Sequence, residues 1–68
     1  MKNTIRVERA INNITQADLA ERVGVSRQTI NSIESNKYIP STVLALKIAK
    51  IFEKGVEEIF MLEESDLH

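Results

Sequence analysis

The chain lacks the residues from which small proteins build disulfides and zinc sites. It has no cysteine, and its one histidine is the last residue, His68. A disulfide framework and a zinc site are therefore excluded. Glycine and proline are scarce, at two and one residues, and no Asn-Gly turn or long alternation of polar and apolar residues favours strands. No apolar stretch approaches the ~20 residues that a membrane-spanning helix needs.

The length bounds the architecture. Sixty-eight residues are too few for two cores, so we expect one domain, which buries only about 60% of its unfolded surface. Domains of this size often need a metal, disulfides or a partner subunit for stability, and a second subunit is the remaining candidate. Hydrophobic residues at 43% and charged residues at 28% are typical of a globular chain. No signal-like apolar run follows the first residues, so we expect a cytoplasmic protein.

The charges are unevenly distributed, although the formal net charge is only −1. Residues 1–38 carry six lysines and arginines against four acidic residues, a net charge of +2. Residues 39–68 carry three lysines against six acidic residues, a net charge of −3. A polyanionic partner is therefore predicted to meet the N-terminal half.

Helical spacing and cap signals predict five helices. The first runs from about Thr4 to Asn12 and is predicted to face the core with Ile5, Val7 and Ile11. Its turn toward the next helix falls on an asparagine, a residue that suits a left-handed helix end.

Two helix starts of the same type follow. Thr15, with Asp18 three residues later, predicts a capping box, and Ser26 predicts the cap of a third helix. Gly24 lies between them and tolerates the positive φ of a tight turn. The second helix is therefore predicted to end before Gly24, and the third to begin about three residues later and to end near Ser35.

The fourth helix is predicted to begin after Ser41 and to form the buried centre of the bundle. Its apolar residues surround most of the helix and leave a lysine stripe for water. They are Val43, Leu44, Ala45, Leu46, Ile48, Ala49, Ile51 and Phe52. A short fifth helix, residues 56–60, follows Gly55. We expect one domain over residues 1–62 and a solvated acidic tail over residues 63–68.

Residues 16–35 form the most informative unit. Two short helices are joined by Gly24, Val25 and Ser26, which is helix-turn-helix spacing. At about 100° per residue, Ile30 and Ile33 of the third helix face one way. Four polar side chains face the other way, and they are Arg27, Gln28, Asn31 and Ser32.

This polar face has the chemistry that the major groove of DNA presents. Arginine donates bidentately to guanine O6 and N7, while glutamine and asparagine match adenine N6 and N7. An ordinary solvated helix face is the alternative interpretation. The two capped helix starts, the three-residue turn and the small residues Ala20 and Gly24 at the helix crossing favour a binding face, because a solvated face requires none of them.

The same stretch resembles the lambda-repressor-like helix-turn-helix family of phage repressors, Cro proteins and xenobiotic-response-element regulators. The matching stretches are residues 15–20, 23–30, 33–34, 36–37, 40–41 and 48–49, and the similarity extends through residues 57–60. The resemblance covers about residues 5–60. It implies an all-α, compact five-helix bundle that binds operator DNA as a dimer, with the third helix in the major groove.

The resemblance also implies roles for single residues. Arg27 and Gln28 are the first candidates for base reading, followed by Asn31 and Ser32. The implied phosphate contacts are Gln16, Asn36 and Lys37. The position of Gln16 agrees with this role, because the free N–H groups of a helix start attract anions. Lys37 is equally compatible with an ordinary loop lysine.

Arg9 and Glu34 match positions that pair as a salt bridge in family members. Such a pair would tie the first helix to the end of the third, and we assign it a structural role. Two independent surface charges are the alternative, and even a formed pair would add little stability if exposed.

Three positions depart from the family pattern. Glu8 stands where a leucine often precedes the arginine, so the first helix is expected to pack through Val7 and Ile11. Asn36 replaces a glycine, which asparagine tolerates because it visits the left-handed region. Gly55 replaces the common serine cap of the last helix, which predicts a less firmly anchored fifth helix.

The end of the chain is the predicted dimer contact. Four consecutive apolar residues cannot all face one core, so part of this cluster should stay exposed for a second copy. The residues are Val56, Ile59, Phe60, Met61 and Leu62. A frayed end that packs on its own core is the alternative.

The sequence thus predicts a DNA-binding transcriptional regulator, a repressor, that binds a near-palindromic operator as a homodimer. Half-sites should lie about one helical turn, ~34 Å, apart. An antitoxin-type module that binds both DNA and a partner protein is the second hypothesis, and a bundle that binds only proteins is the third. No nucleophile with an oriented base, metal set or phosphate loop indicates an enzyme, and no cofactor, metal or membrane partner is expected.

Overall fold

The computed structural model describes all 68 residues as a small bundle of five α-helices. The helices are α1 (Ile5–Asn12), α2 (Gln16–Val23), α3 (Arg27–Glu34), α4 (Thr42–Ile51) and α5 (Val56–Ile59). This confirms the predicted all-α fold. None of the helices combines the length and the apolar character that crossing a lipid bilayer requires.

Side-chain caps define the starts of three helices where the sequence predicted them. At α2 the Thr15 hydroxyl accepts from the Asp18 N–H at 3.0 Å, and the Asp18 carboxylate accepts from the Thr15 N–H at 3.3 Å. Hydrogen bonding to Thr15 lowers the pKa of Asp18. Ser26 caps α3 through the Thr29 N–H, and a serine caps α4 in the same way. Each cap satisfies an N–H that the helix itself leaves unpaired.

Left-handed residues end the helices. Asn13, Gly24 and Asn36 have φ values of 56°, 78° and 61°, as the sequence predicted. Glu53 also has a positive φ, 55°, at a position where the sequence carries no asparagine or glycine signal. α5 lacks the serine cap, but a carboxylate of its own first turn partly replaces it. The Glu58 carboxylate accepts from the N–H of Gly55, the residue before the helix, at 2.7 Å.

One apolar cluster holds the bundle together. Its members come from all five helices, from the residue after α4 and from the segment after α5. They are Ile5, Leu19, Ala20, Val23, Ile30, Ile33, Leu44, Ile48, Ala49, Phe52, Ile59 and Phe60. α4 packs one side against this cluster. The prediction that α4 is the buried centre is wrong for its flanking residues, since Val43 and Leu46 are 63% and 53% exposed.

α1 faces the core with a different side from the predicted one. Ile5 is fully buried, but Val7 and Ile11 are 56% and 69% exposed, so the predicted packing of α1 is wrong for these two residues. Glu8 takes the inner position and is only 5% exposed. Its carboxylate pairs with the Lys54 ammonium at 2.6 Å, and this hydrogen bond raises the pKa of Lys54. The pairing allows the charge to be buried.

A two-stranded antiparallel sheet closes the bundle, and the sequence did not predict it. β1 (Lys2–Asn3) pairs with β2 (Phe60–Met61). Strands of two residues are too short to show an alternating pattern. Asn3 extends the connection to α3, because its side-chain amide donates to the Ile33 carbonyl at 2.9 Å.

Residues 63–68 contact the rest of the fold. Glu64–Leu67 form a 3₁₀ turn, where the sequence predicted only a solvated tail. The α-amino group of Met1 lies 2.9 Å from the Asp66 carboxylate and 3.2 Å from that of Glu63. These contacts place the last residues beside β1.

Candidate nucleic-acid interface

α2 and α3 are held as a unit by the turn between them. The Gly24 and Val25 N–H groups donate to the Ala20 carbonyl at 2.9 and 3.0 Å. Ala20 is almost fully buried, so the two helices approach closely where the small residues predicted a crossing. The left-handed φ of Gly24 turns the chain, and Ser26 then starts α3. The turn chemistry thereby sets the direction in which α3 leaves α2.

α3 has an apolar inner side and a polar outer side. Ile30 and Ile33 are 0% and 1% exposed, and they anchor the helix in the core. On the outer side, Arg27, Gln28 and Asn31 are exposed, and Ser32 is half-buried. The four predicted base-reading residues therefore lie on one side of α3. The buried Ile30 and Ile33 on the opposite side hold the helix in the core, so that the polar side faces outward. This side can donate to and accept hydrogen bonds from base edges.

The start of α2 is joined to the outer side of α3. The Gln16 side-chain amide donates to the Asn31 side-chain oxygen at 3.2 Å. Gln16 is the first residue of α2, where the helix leaves its N–H groups without intrahelical partners. A predicted phosphate contact and a predicted base-reading residue are thus direct neighbours, which spacing alone did not indicate.

The loop after α3 carries the other two predicted phosphate contacts. Asn36 is left-handed and exposed, and its side-chain oxygen accepts from the Asn3 amide at 3.2 Å. The Lys37 N–H donates to the Ser32 carbonyl at 2.9 Å, which holds the loop against the end of α3. The Lys37 side chain is exposed and forms no ion pair within 4 Å. The structure therefore places Lys37 where its ammonium is available to an external anion.

Arg9 and Glu34 form the predicted salt bridge. The Arg9 Nε and Nη2 atoms donate to the two Glu34 carboxylate oxygens at 2.7 and 3.0 Å, and Nη1 donates to the Ile14 carbonyl at 3.1 Å. The Glu34 side chain is 1% exposed, so the pair is buried rather than superficial. Hydrogen bonding to Glu34 raises the pKa of Arg9. The pair fixes α1 against the end of α3.

Two open grooves lie on either side of α3. The larger, about 540 Å³, runs between α1 and the starts of α2 and α3, and Arg6, Gln16 and Arg27 are among its lining residues. The smaller, about 290 Å³, is lined by Gln28, Ser32 and Tyr38 among others. Sequence reasoning missed Arg6 and Tyr38. The one signal for Arg6 was its spacing of three residues from Arg9, which puts both on neighbouring parts of α1.

The predicted dimer contact is only partly accessible. Ile59 and Phe60 are 0% and 7% exposed and belong to the core of the protomer, so the prediction is wrong for them: they have almost no surface to offer a second copy. Val56 and Met61 are half-buried. Leu62 is 68% exposed. The core takes up two of the four consecutive apolar residues and leaves the last one outside.

Comparisons with known proteins agree on one family. A family model described as helix-turn-helix matches residues 5–59. The chain is 53% identical over 66 residues to an uncharacterized HTH-type transcriptional regulator of Methanocaldococcus jannaschii, an alignment that covers 97% of this chain and 100% of the relative. It is 48% identical to one of Archaeoglobus fulgidus, covering 98% and 94%. It is 47% identical to the uncharacterized HTH-type regulator YgzD of Bacillus subtilis, covering 97% and 100%.

Proposed function

This chain belongs to the lambda-repressor-like helix-turn-helix family of DNA-binding transcriptional regulators, and we propose that it is a repressor. In this proposal a homodimer binds a near-palindromic operator, with one α3 in each of two major-groove half-sites. The observation that carries the proposal is the division of α3 into an anchored apolar side and an accessible polar side. A helix of this kind fits a major groove about 12 Å wide.

Base reading is assigned to the outer side of α3. Arg27 and Gln28 lie at its first two positions and are exposed. They would donate to guanine and bind adenine, respectively. Asn31 and Ser32 lie one turn further along. Asn31 would read a base while Gln16 orients its amide, and the half-buried Ser32 would contribute a short hydroxyl contact to a base edge.

Phosphate contacts are assigned to both edges of α3. Gln16 lies at one edge, where the N-terminal N–H groups of α2 favour an anion. Asn36 and Lys37 lie at the other edge, in the loop after α3. Contacts on both edges are what a helix in a major groove requires, because one DNA strand passes on each side.

Dimerisation is assigned to α5 and the segment that follows it. The exposed Leu62 and the half-buried Val56 and Met61 supply apolar surface there. A single module of this size makes too few contacts for specific binding, so two copies are needed on one operator. Repression requires only that the dimer occupy its site. Such a repressor would act where the DNA is, in the cytoplasm, and the proposal involves no catalytic step.

An antitoxin-type module is the second candidate. Leu62 and Leu67 are 68% and 63% exposed beside acidic side chains, a combination that could bind a basic partner protein. This candidate retains the DNA-binding role of α3. It differs from the simple repressor by requiring a stable complex with a different protein.

Selection of bound sequences from a random duplex pool tests the proposal. The pool is incubated with the protein at 50 and 200 mM salt, and the mass of the complex is measured by analytical ultracentrifugation. We expect a two-fold symmetric consensus, two protomers per duplex and a large loss of affinity at the higher salt concentration. A pool without enrichment would exclude a sequence-specific regulator, and one protomer per enriched duplex would exclude binding as a dimer.

A Leu62→Asp variant tests the dimer contact. It should remain folded but bind DNA only at higher protein concentration.

A further inference from the structure

The outer side of α4 combines apolar and basic side chains. Val43 and Leu46 are 63% and 53% exposed, and Lys47 and Lys50 are exposed beside them. Positions three, four and seven residues apart lie on one side of a helix, so these four side chains form one surface, which we call the basic surface. Neither lysine takes part in an ion pair of the fold. The basic surface therefore carries apolar area and two positive charges that have no partner within the protomer.

A surface of opposite charge lies in the part of the chain from α5 onward. Leu62 and Leu67 are 68% and 63% exposed, and Glu57 and Glu64 are exposed as well. We call these four side chains the acidic surface. Glu57 takes part in no ion pair, and Glu64 contacts only His68, at 3.2 Å. The other two acids after β2 bind the α-amino group of the first residue. The acidic surface thus has two apolar and two charged side chains, as the basic surface does.

The charges determine how two copies of the chain can meet through these surfaces. Contact between two basic surfaces would bring four lysines together, and contact between two acidic surfaces would bring four glutamates together. Like charges that face each other oppose association. Contact between a basic and an acidic surface instead pairs opposite charges and covers exposed apolar side chains on both copies. In a dimer with two-fold symmetry this contact is made twice, once in each direction.

We propose that the basic surface on α4 of one copy binds the acidic surface of a second copy of this chain. The inference deepens the proposed function and rests on its dimer, for which it names the surface that the exposed Leu62 contacts. The leucines of one copy pack against Val43 and Leu46 of the other, and the glutamates of the first face the lysines of the second. Neither surface includes a residue of α3, so the contact leaves the base-reading side of α3 free.

Charge-reversed variants, alone and mixed, test this contact. Lys47→Glu with Lys50→Glu reverses the basic surface, and Glu57→Lys with Glu64→Lys reverses the acidic surface. Dimerisation is measured by sedimentation equilibrium without DNA. Each variant alone should dimerise at least about tenfold more weakly than wild type, because both of its surfaces then carry the same sign of charge. An equimolar mixture should dimerise about as strongly as wild type, since each variant offers the surfaces that complement the other.

Two variants on α2 serve as matched controls. Glu21→Lys and Arg22→Glu reverse a charge of either sign at exposed positions outside both surfaces, and each should dimerise as wild type does. Raising the salt concentration from about 0.05 to about 0.5 M should weaken the wild-type dimer and the mixed dimer alike, because salt screens exposed charges. Circular dichroism checks that all variants are folded, which we expect because every replaced charged side chain is exposed.

The outcomes separate this inference from the proposed function. If wild type stays monomeric at every concentration, a second copy does not cover α4 and the inference fails, while an operator selected from the duplex pool would still support base reading by α3. If the variants dimerise as wild type does, or if the mixture stays monomeric, other surfaces hold the dimer and the inference is overturned. If the mixture restores the dimer but no duplex is selected, the contact stands and the proposed function fails.

Discussion

α1 and α3 are both eight residues long, yet they pack on the core by different means. α3 turns Ile30 and Ile33 inward and leaves its polar side chains outside. α1 turns in Ile5 together with two charged residues, Glu8 and Arg9, and leaves its other apolar residues in water. Each inward charge of α1 is paired with a residue of another element. Apolar anchoring therefore frees the polar residues of α3 for a partner, whereas α1 uses its own to hold the fold.

The difference shows which arginines are available to DNA. Arg9 makes three hydrogen bonds within the protein and is committed to the structure. Arg27 is exposed and forms no ion pair within 4 Å, and the exposed Arg6 makes only a 3.6 Å ion pair with Glu34, a carboxylate that Arg9 already binds through both oxygens. Counting basic residues would treat all three alike. Their partners separate a structural arginine from two that can bind phosphate or base.

The largest expected effect comes from breaking the apolar anchor of α3. Ile30→Ala should lower the free energy of unfolding by about 4 kcal/mol, because a fully buried isoleucine leaves a cavity. That is comparable with the whole stability of a domain this size, about 3–10 kcal/mol. Ile11→Ala on the outside of α1 should cost less than about 0.5 kcal/mol. Urea denaturation of both variants checks the contrast, and equal losses would contradict the assigned faces.

The next effect comes from breaking the ion-pair anchor of α1. Arg9→Met should cost about 3 kcal/mol, because it leaves the buried Glu34 carboxylate without its main partner. The double variant Arg9→Met with Glu34→Leu should regain most of this loss, since replacing both charges removes the need to bury them. Urea denaturation in a double-mutant cycle measures the coupling. Additive losses would show that the two residues do not interact.

A smaller effect should distinguish the helix starts. Ser26 caps α3 with its hydroxyl, whereas Thr4 at the start of α1 makes no such bond. Ser26→Ala should therefore cost about 1 kcal/mol, and Thr4→Ala less than about 0.5 kcal/mol. Thermal melting followed by circular dichroism measures both. A larger loss for the Thr4 variant would reverse the comparison.

The smallest effect concerns alkaline pH. The pKa of Lys54 is raised by its hydrogen bond to Glu8, so the pair contributes stability that is fully present below the unfolded pKa of lysine, about 10.4. This contribution is lost as pH rises through the higher folded pKa. Lys54→Arg should reduce the loss of melting temperature between pH 9 and 11.5, because arginine stays charged.

Lys50→Arg is the matched control for this pH experiment. Lys50 is exposed and forms no ion pair within 4 Å, so its replacement should leave the pH profile as in wild type. If both arginine variants alter the profile equally, the pairing of Lys54 with Glu8 does not explain the pH dependence.

Local chemistry made much of the fold predictable from the sequence. Thr15 with Asp18, Ser26 and Ser41 cap helices where their types and spacing indicated, because a cap depends only on residues within one turn. The inner side of α3 could be predicted from the spacing of Ile30 and Ile33, because the apolar residues of this helix alone determine which side is buried. The face of α3 that forms the candidate site was predicted for the same reason.

The parts that sequence reasoning missed depend on distant partners. Glu8 can be inside only because Lys54, 46 residues later, pairs with it, and a hydrophobic pattern contains no such information. The same holds for the two-residue strands at opposite ends of the chain. Phe60 looked like surface in an apolar run, but β2 directs it into the core. The larger groove beside α3 likewise exists only once α1, α2 and α3 are assembled.

The central claim is that the outer side of α3 reads DNA sequence. Affinities for the selected operator and for a scrambled duplex are compared between wild type and the double variant Arg27→Ala with Gln28→Ala, with Glu21→Ala and Arg22→Ala on α2 as the matched control. The account predicts that the double variant keeps its fold and loses its preference for the operator by about 30-fold or more, while the control keeps it. A folded double variant with an unchanged preference would contradict the account.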